Sequence, residues 1–322
     1  MHLPDNEYII QTNNNNYTQG QMHNIKLNFD KILHTIKSLG VNDFDETGNV
    51  KRVGPKPKFS DLEVISLNIT AEYMSIDSEN LLFKKLLSCH RDDFANLIDR
   101  TQYNRRKKYL FDFTDKIRKV LAEKFIEFEN YFVIDSMPLE ICRISREKRV
   151  KICKEAYETS PDKGYCASQN MWFYGYKLHG VSSLNGVFYS IDLTKASVHD
   201  NEILSDVKTQ LTDSVLLGDK GYVGKEIQLD LFHTASIKLH TPMRANQKEF
   251  KAYPFVFRKS RKRLETLFSQ LCDQFMIRRN YAKTFEGFRT RILSKITSVT
   301  IIQYINYFLL NRSIGNLKHA IV

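Results

Sequence analysis

Three carboxylates stand at positions where acids can do chemistry. Asp135 closes the apolar run Tyr131-Phe132-Val133-Ile134, Asp219 closes Ser214-Val215-Leu216-Leu217-Gly218, and Glu265 lies one position from the apolar row Leu264, Leu267, Leu271, Phe275. Side chains at the carboxyl ends of buried strands project into the crevice where α/β sheets keep their ligands. Two acids delivered there by neighbouring strands repel each other unless a cation sits between them. Three oxygen donors with no His or Cys beside them suit Mg²⁺ or Mn²⁺ rather than zinc. A pair of such ions activates a water or hydroxyl oxygen and stabilises the leaving oxygen of an in-line phosphoryl transfer. The blander alternative makes Asp135 a turn cap, Asp219 the first residue of an Asp-Lys-Gly-Tyr turn, and Glu265 the partner of Arg261 one helical turn earlier. The joint placement of the three acids favours the first reading.

The basic residues point to a polyanion. The chain of 322 residues carries 48 Lys and Arg against 37 Asp and Glu, a net +11. From Thr241 onward there are sixteen bases and four acids, so this last quarter holds +12 and the rest of the chain −1. A localised positive field of this kind displaces counterions from a phosphate backbone when it docks. A second basic run, Arg105-Arg106-Lys107-Lys108, lies near the end of the first third. Lys177 and His179 are two apart on a strand and share a face, so they are candidates to reach phosphates, with a satisfied histidine beside a surface lysine as the equal alternative. Lys220 and Tyr222 follow Asp219 and are candidates to hold a phosphate or stack on a base. Each basic run also has a plain reading as a solvated helix face.

The elements that must position these residues follow from periodicity and punctuation. Ser60 with Glu63 forms a capping box ahead of Leu62, Ile65 and Leu67, and Ser78 precedes Leu81, Leu82, Phe83, Leu86 and Leu87, so two helices are expected. Thr101 is placed to cap a third, carrying the basic run in its first turns and Leu110, Phe113, Ile117 and Leu121 later. That order resembles a helix-turn-helix with a basic third helix, and it equally suits a small helical bundle with no groove contact. From Tyr131 the pattern changes to a short strand stopped by Pro138, then an irregular basic stretch over residues 139–170. Two strands, 172–179 and 187–193, flank a turn containing Asn185-Gly186. His199-Asp200 caps a helix striped with Ile203, Leu204, Val207 and Leu211. A strand at 214–219, one at 235–239 and a long helix bearing Glu265 complete the order. Trp172, the one tryptophan, reads as a core residue.

Several classes are set aside. The longest apolar stretch, Ile296 to Leu310, is interrupted by Thr297, Ser298, Gln303 and Asn306 and falls short of the roughly 20 residues a bilayer needs. The start MHLPDNEYII lacks a basic segment followed by an apolar run, so a cytoplasmic protein with no membrane partner is expected. Five cysteines without a C-x2-C pair fit neither a disulfide framework nor a zinc site and read as reduced packing thiols. The tract QTNNNNYTQGQMHN, residues 11–24, reads as a flexible arm, and KRVGPKPKF, 51–59, as a linker.

Taken together, FVIDSMP, WFYGYKLHG, TKASVHDNEIL, LLGDKGYVG and SRKRLETLFSQLCDQFMIRRNYAKTFEGFRTRIL resemble bacterial insertion-sequence transposases with a DDE domain, most closely the 982 family of insertion sequences. The resemblance spans roughly residues 60–315. It implies an α/β, ribonuclease H-like catalytic domain, a mixed sheet with flanking helices, preceded by a helical, helix-turn-helix-like region. The expected division is an unassigned arm and linker over 1–58, a helical DNA-binding region over 59–128 and the catalytic domain over 129–322. The resemblance places the acidic triad on Asp135, Asp219 and Glu265, holding Mg²⁺ or Mn²⁺. A related branch carries Tyr-x2-Arg-x3-Glu-x6-Lys. Arg261 and Glu265 match it, while Arg258 and Cys272 stand at the Tyr and Lys positions. Arg258, Arg261 and Lys262 thus join Arg105, Arg106, Lys107, Lys177, His179, Lys220 and Tyr222 as expected DNA contacts. The implied activity is a nucleoid-associated transposase, a homodimer on DNA, that cuts terminal inverted repeats and joins them to target DNA. Two alternatives stay open: a nuclease of this fold without strand transfer, and a non-catalytic DNA-binding descendant.

Overall fold

The computed structural model describes residues 24–126, 130–242 and 254–322. The chain folds as two units: Thr297–Val322 joins the residues up to Ile117, and Arg118–Ile296 forms the second. The last 26 residues thus fold with the first unit, a division that a linear reading of three successive segments does not contain. Apart from Asn24, the tract expected to be a flexible arm lies outside the described residues.

The first unit is helical. Helix α1 (Ile25–Ser38) is capped by Asn24, whose Oδ1 accepts from the Leu27 amide at 3.0 Å, and it buries Ile25, Phe29, Ile32 and Ile36 along one stripe. Helix α2 (Asp61–Tyr73) starts at the expected capping box. Ser60 Oγ accepts from the Glu63 amide, and Glu63 Oε2 accepts from the Ser60 amide at 2.6 Å. Helix α3 (Glu79–Cys89) buries Leu82, Phe83 and Leu86. The third expected helix is divided in two, α4 (Arg100–Tyr109) and α5 (Phe111–Ile126). Its cap is Asp99 rather than Thr101, because Asp99 Oδ1 accepts from the amides of Thr101 and Gln102 at 2.8 and 3.0 Å.

Among the described residues the second unit is built on six strands: β1 (Tyr131–Cys142), β2 (Asp162–Cys166), β3 (Met171–Ser183), β4 (Phe188–Lys195), β5 (Val215–Leu217) and β6 (Lys238–His240). The order across the sheet is β2-β3-β1-β5-β6, with β4 also paired to β3. β1 runs antiparallel to β3 and parallel to β5, and β5 is parallel to β6, so the sheet is mixed. With its flanking helices it fits a ribonuclease H-like domain. β1 does not stop at Pro138, which pairs with Lys177 inside the strand. Its pairing with β5 covers only Tyr131 to Val133, so at Pro138 the missing amide hydrogen faces a side that carries no ladder. β2 lies within the stretch expected to be irregular.

Side-chain alternation gives β1 two faces. Phe132 and Ile134 join Val181, Leu216, Ile203, Leu204, Val207 and Leu211 in one apolar cluster, closed by Leu231, Ala235 and Ile237. The expected stripe of Ile203, Leu204, Val207 and Leu211 is therefore buried. It is carried by a 3-10 turn (Asp200–Ile203) and one α-helical turn, α6 (Leu204–Val207), rather than by a full helix. Helix α7 (Lys225–Ala235) covers the same face and takes Ala235 from the strand expected there. The opposite face, which Asp135 shares with Val133, meets helix α8 (Phe255–Asp273), whose Leu264, Leu267, Phe268 and Leu271 are buried. Helix α9 (Phe285–Tyr304) follows. Arg118, fully buried on α5, donates to the carbonyls of Phe188 and Tyr189 at 3.1 and 2.9 Å and anchors the start of β4.

The turn between β3 and β4 is the expected hairpin, closed by the Ser183 amide on the Val187 carbonyl at 3.0 Å, with Gly186 at φ +81°. Trp172 is not in the core. It is 60 % exposed and packs on Tyr165 of β2 with ring centroids 5.3 Å apart. At this end of β3, among the described residues, only a short edge strand lies alongside and no layer covers the ring.

Candidate active site

Asp135 sits at the first position of its face beyond the end of the β1–β5 ladder, where β1 loses its parallel neighbour. Its partner across β3 is Gly180. A side chain at Gly180 would place Cβ 2.6 Å from Phe188 Cε1 and 3.5 Å from Phe268 Cζ, so the bare backbone is what lets the Phe188 and Phe268 rings, and with them α8, settle on this face. Asp219 follows β5 by two residues, beside Asp135 on the neighbouring strand. Each aspartate accepts from the amide that follows it, Asp135 Oδ1 from Ser136 at 2.8 Å and Asp219 Oδ1 from Lys220 at 2.6 Å. Both carboxylates are held by local backbone before any distant group acts on them.

Helix α8 brings Arg261 and Glu265. Arg261 Nη1 lies 3.3 Å from Asp219 Oδ1, and Nη2 lies 3.9 Å from Glu265 Oε1. One guanidinium therefore bridges two of the three acids. The third, Asp135, is largely withdrawn from water, and desolvation pushes its carboxyl up to about 6. The Ser136 amide and Arg261 pull the other way, while the negative charges of Asp219 and Glu265 push it up further. The four side chains, drawn from three stretches far apart in sequence, form one electrostatic unit.

Residues 126–283 match the family model of the transposase DDE domain. The matched segment contains Asp135, Asp219 and Glu265, and it supports a DDE-type transposase, a nucleic-acid-processing enzyme. No curated protein and no solved structure matches the chain.

The donor chemistry fits a hard divalent cation. All three donors are carboxylate oxygens, and the charges of Asp219 and Glu265 add to the burial that raises the proton affinity of Asp135. As placed, they are not drawn together around one point, since among the described residues no group of three or more His, Cys, Asp or Glu side chains is arranged to hold a metal ion. Between Asp219 and Glu265 the cationic position is taken by Arg261.

The remaining expected contacts divide by exposure. Arg105, Lys220, Arg258 and Lys262 are exposed. Arg106 and Lys107 are held inside the first unit. Arg106 donates to Asp61 Oδ1 at 2.7 Å and to the Phe59 carbonyl at 2.6 Å, and Lys107 is paired with Glu79. Lys177 and His179 share a face as expected, the one opposite Asp135, and both are engaged. Lys177 Nζ meets Asp200 Oδ1 at 2.8 Å, and His179 Nε2 lies 2.8 Å from Thr194 Oγ1. Burial holds the His179 imidazole down at about 4, against the opposing pull of Asp200, so the ring is neutral at pH 7. Tyr222 is buried, and desolvation followed by the charges of Asp200, Asp135 and Asp219 raises its hydroxyl well above the usual phenol range. In this placement Tyr222 supports the loop beneath Asp219 and offers no ring to a base.

Asp200 had no place among the candidate site residues. It partners Lys177 and acts on both His179 and Tyr222. The signal was present in the His199-Asp200 pair, which read as a helix cap. The structure gives the cap to His199, whose Nδ1 accepts from the Asn201 amide at 3.3 Å, and leaves Asp200 for Lys177.

Proposed function

We propose that this chain is a DNA transposase of bacterial insertion-sequence type, akin to the 982 family, which cuts DNA at the element's ends and joins it to a target. The observation that carries the reading is the electrostatic unit of Asp135, Asp219, Glu265 and Arg261 inside the segment that matches a transposase DDE domain. Asp135, Asp219 and Glu265 are the residues that would hold Mg²⁺ or Mn²⁺. When bound, such ions supply Lewis-acid polarisation of the scissile phosphate and charge for the leaving oxygen.

The chain's own groups do the rest. The Ser136 and Lys220 amides each hold one oxygen of the two aspartates. Arg261, drawn off Asp219, becomes a guanidinium beside the scissile phosphate, where its planar donors suit phosphate oxygens. The exposed Lys220, Arg258 and Lys262 extend a positive rim around the acids and track the DNA backbone. In the first unit the exposed Arg105 serves the same purpose on the helical side. A second copy of the chain, engaged on the other element end, would pair the two cuts.

The test is cleavage and joining of a duplex carrying the element ends. Asp135→Ala, Asp219→Ala and Glu265→Ala are each expected to lose metal-dependent cleavage while retaining salt-sensitive DNA binding. Full Mg²⁺-dependent cleavage in any of the three removes that residue from the assignment. Cleavage without products joined to target DNA reduces the reading to a nuclease.

A further inference from the structure

The helical unit contains a cavity of about 680 Å³ that the catalytic reading does not use. It opens where the 51–59 segment passes the start and outer face of α4. Its apolar floor comes from Pro57, Phe59, Ile98 and Tyr109. Among the described residues four cations ring it, Arg52, Lys58, Arg105 and Arg106, and no carboxylate lines it. Asp61, fully buried behind the wall, neutralises part of this charge by taking Arg52 and Arg106. Lys58 and Arg105 remain exposed at the mouth.

The volume lies within the roughly 300 to 1,000 Å³ of small-ligand sites. Apolar walls under a cationic rim call for a ligand that is itself divided, one part flat and apolar and the other anionic. Tyr109 contributes a half-exposed ring, with the Arg52 guanidinium 5.9 Å from its centroid. Aromatic faces and guanidinium planes are the surfaces on which unpaired bases stack. Asn96 and Gln102, the two carboxamides in the lining, carry the paired donor and acceptor that read a base edge. An acidic peptide satisfies the rim but brings no flat apolar group to the Phe59, Ile98 and Tyr109 side chains.

We infer that this cavity receives one unpaired nucleotide of DNA, with its base on the Phe59, Ile98 and Tyr109 floor and its phosphate toward Lys58 and Arg105. This inference rests on the DNA-handling function proposed above. It assigns to the helical unit a way to sense an opened or frayed DNA end.

The experiment uses the full chain and a duplex carrying one unpaired 2-aminopurine nucleotide, compared with the same duplex fully paired, read by anisotropy and 2-aminopurine fluorescence. The unpaired form is expected to bind about tenfold more tightly. Gln102→Trp, at an exposed position on the cavity wall, is expected to abolish that preference, with thermal melting as the check on folding. Lys58→Ala combined with Arg105→Ala should weaken it as well. Deoxyadenosine monophosphate is expected to compete, and inorganic phosphate is not. Equal competition by inorganic phosphate or by an oligoglutamate peptide overturns the assignment, as does an undiminished preference in folded Gln102→Trp. Asp135-dependent cleavage with no preference for the unpaired nucleotide overturns the cavity assignment alone. Absence of all DNA binding overturns both it and the function on which it rests.

Discussion

Arg261 Nη1 lies 3.3 Å from Asp219 Oδ1, and the same guanidinium reaches toward Glu265 on its own helix. An arginine is thereby seated among the acids where a divalent ion would be needed. It relieves part of their mutual repulsion.

That seating predicts competition. Arg261→Ala is expected to tighten Mn²⁺ binding to the full chain, read by the loss of the free-ion electron paramagnetic resonance signal. Half of each acid is exposed, so the pair is worth no more than about 1 kcal/mol and the gain should be about two- to fivefold. DNA cleavage by the same variant should fall, because the phosphate loses its guanidinium. Unchanged or weaker Mn²⁺ binding would show that Arg261 does not occupy the ions' place.

Asp135 predicts a pH signature. Its carboxyl is raised to about 6 in the folded chain, against 3.8 for the free side chain. Between those values the folded state holds the proton more tightly than the unfolded one, so stability falls as pH rises from about 4 to 6 and stays reduced above. Asp135→Asn removes the buried charge and keeps an acceptor for the Ser136 amide. Chemical denaturation at pH 7.5 should find this variant more stable by about 1–3 kcal/mol, with the gain vanishing near pH 4. A variant less stable than the parent at pH 7.5 would contradict the burial argument.

Gly180 predicts that the site depends on a missing side chain. Gly180→Ala drives Cβ against the Phe188 ring, an overpacking that costs about 1–3 kcal/mol. Because Phe188 packs on Phe268 at 6.0 Å between centroids, the displacement passes to α8 and shifts Arg261 and Glu265. Cleavage should fall more than stability alone explains. Phe188→Leu in the Gly180→Ala background should restore part of both. No recovery in the double variant would mean that the ring does not transmit the effect.

Neighbouring arginines in the first unit should behave differently. Arg106 is bound to the buried Asp61 and to the Phe59 carbonyl, so Arg106→Ala strands a buried charge with Arg52 alone and should cost about 3 kcal/mol. Arg105→Ala, at an exposed position, should leave the melting temperature within about 2 °C. Reduced DNA binding by Arg105→Ala is then a direct effect, whereas in Arg106→Ala it follows unfolding. Equal melting temperatures for the two variants would remove the distinction.

The features legible from the residues alone are local. The capping box of Ser60 and Glu63, the strand entering Asp135, the Asn185-Gly186 hairpin and the short strand before Asp219 all rest on neighbours within a few residues, and each appears where those neighbours place it. The three acids were picked out because two close buried strands and one lies beside an apolar helical row. What each charge faces is set by the packing of distant elements. Arg106 and Lys107 read as part of a basic run, yet their partners Asp61 and Glu79 lie 45 and 28 residues earlier in the chain. β2 escaped notice because an edge strand with mostly exposed side chains has little alternation to show. Pro138 looked like a stop because its tolerance depends on where β5 ends, and Trp172 looked like core because no sequence window records that nothing covers it. Arg261 stands between Asp219 and Glu265 because α8 packs on the face that Gly180 leaves open, and a contact between distant elements is set by packing, which one-dimensional periodicity does not encode.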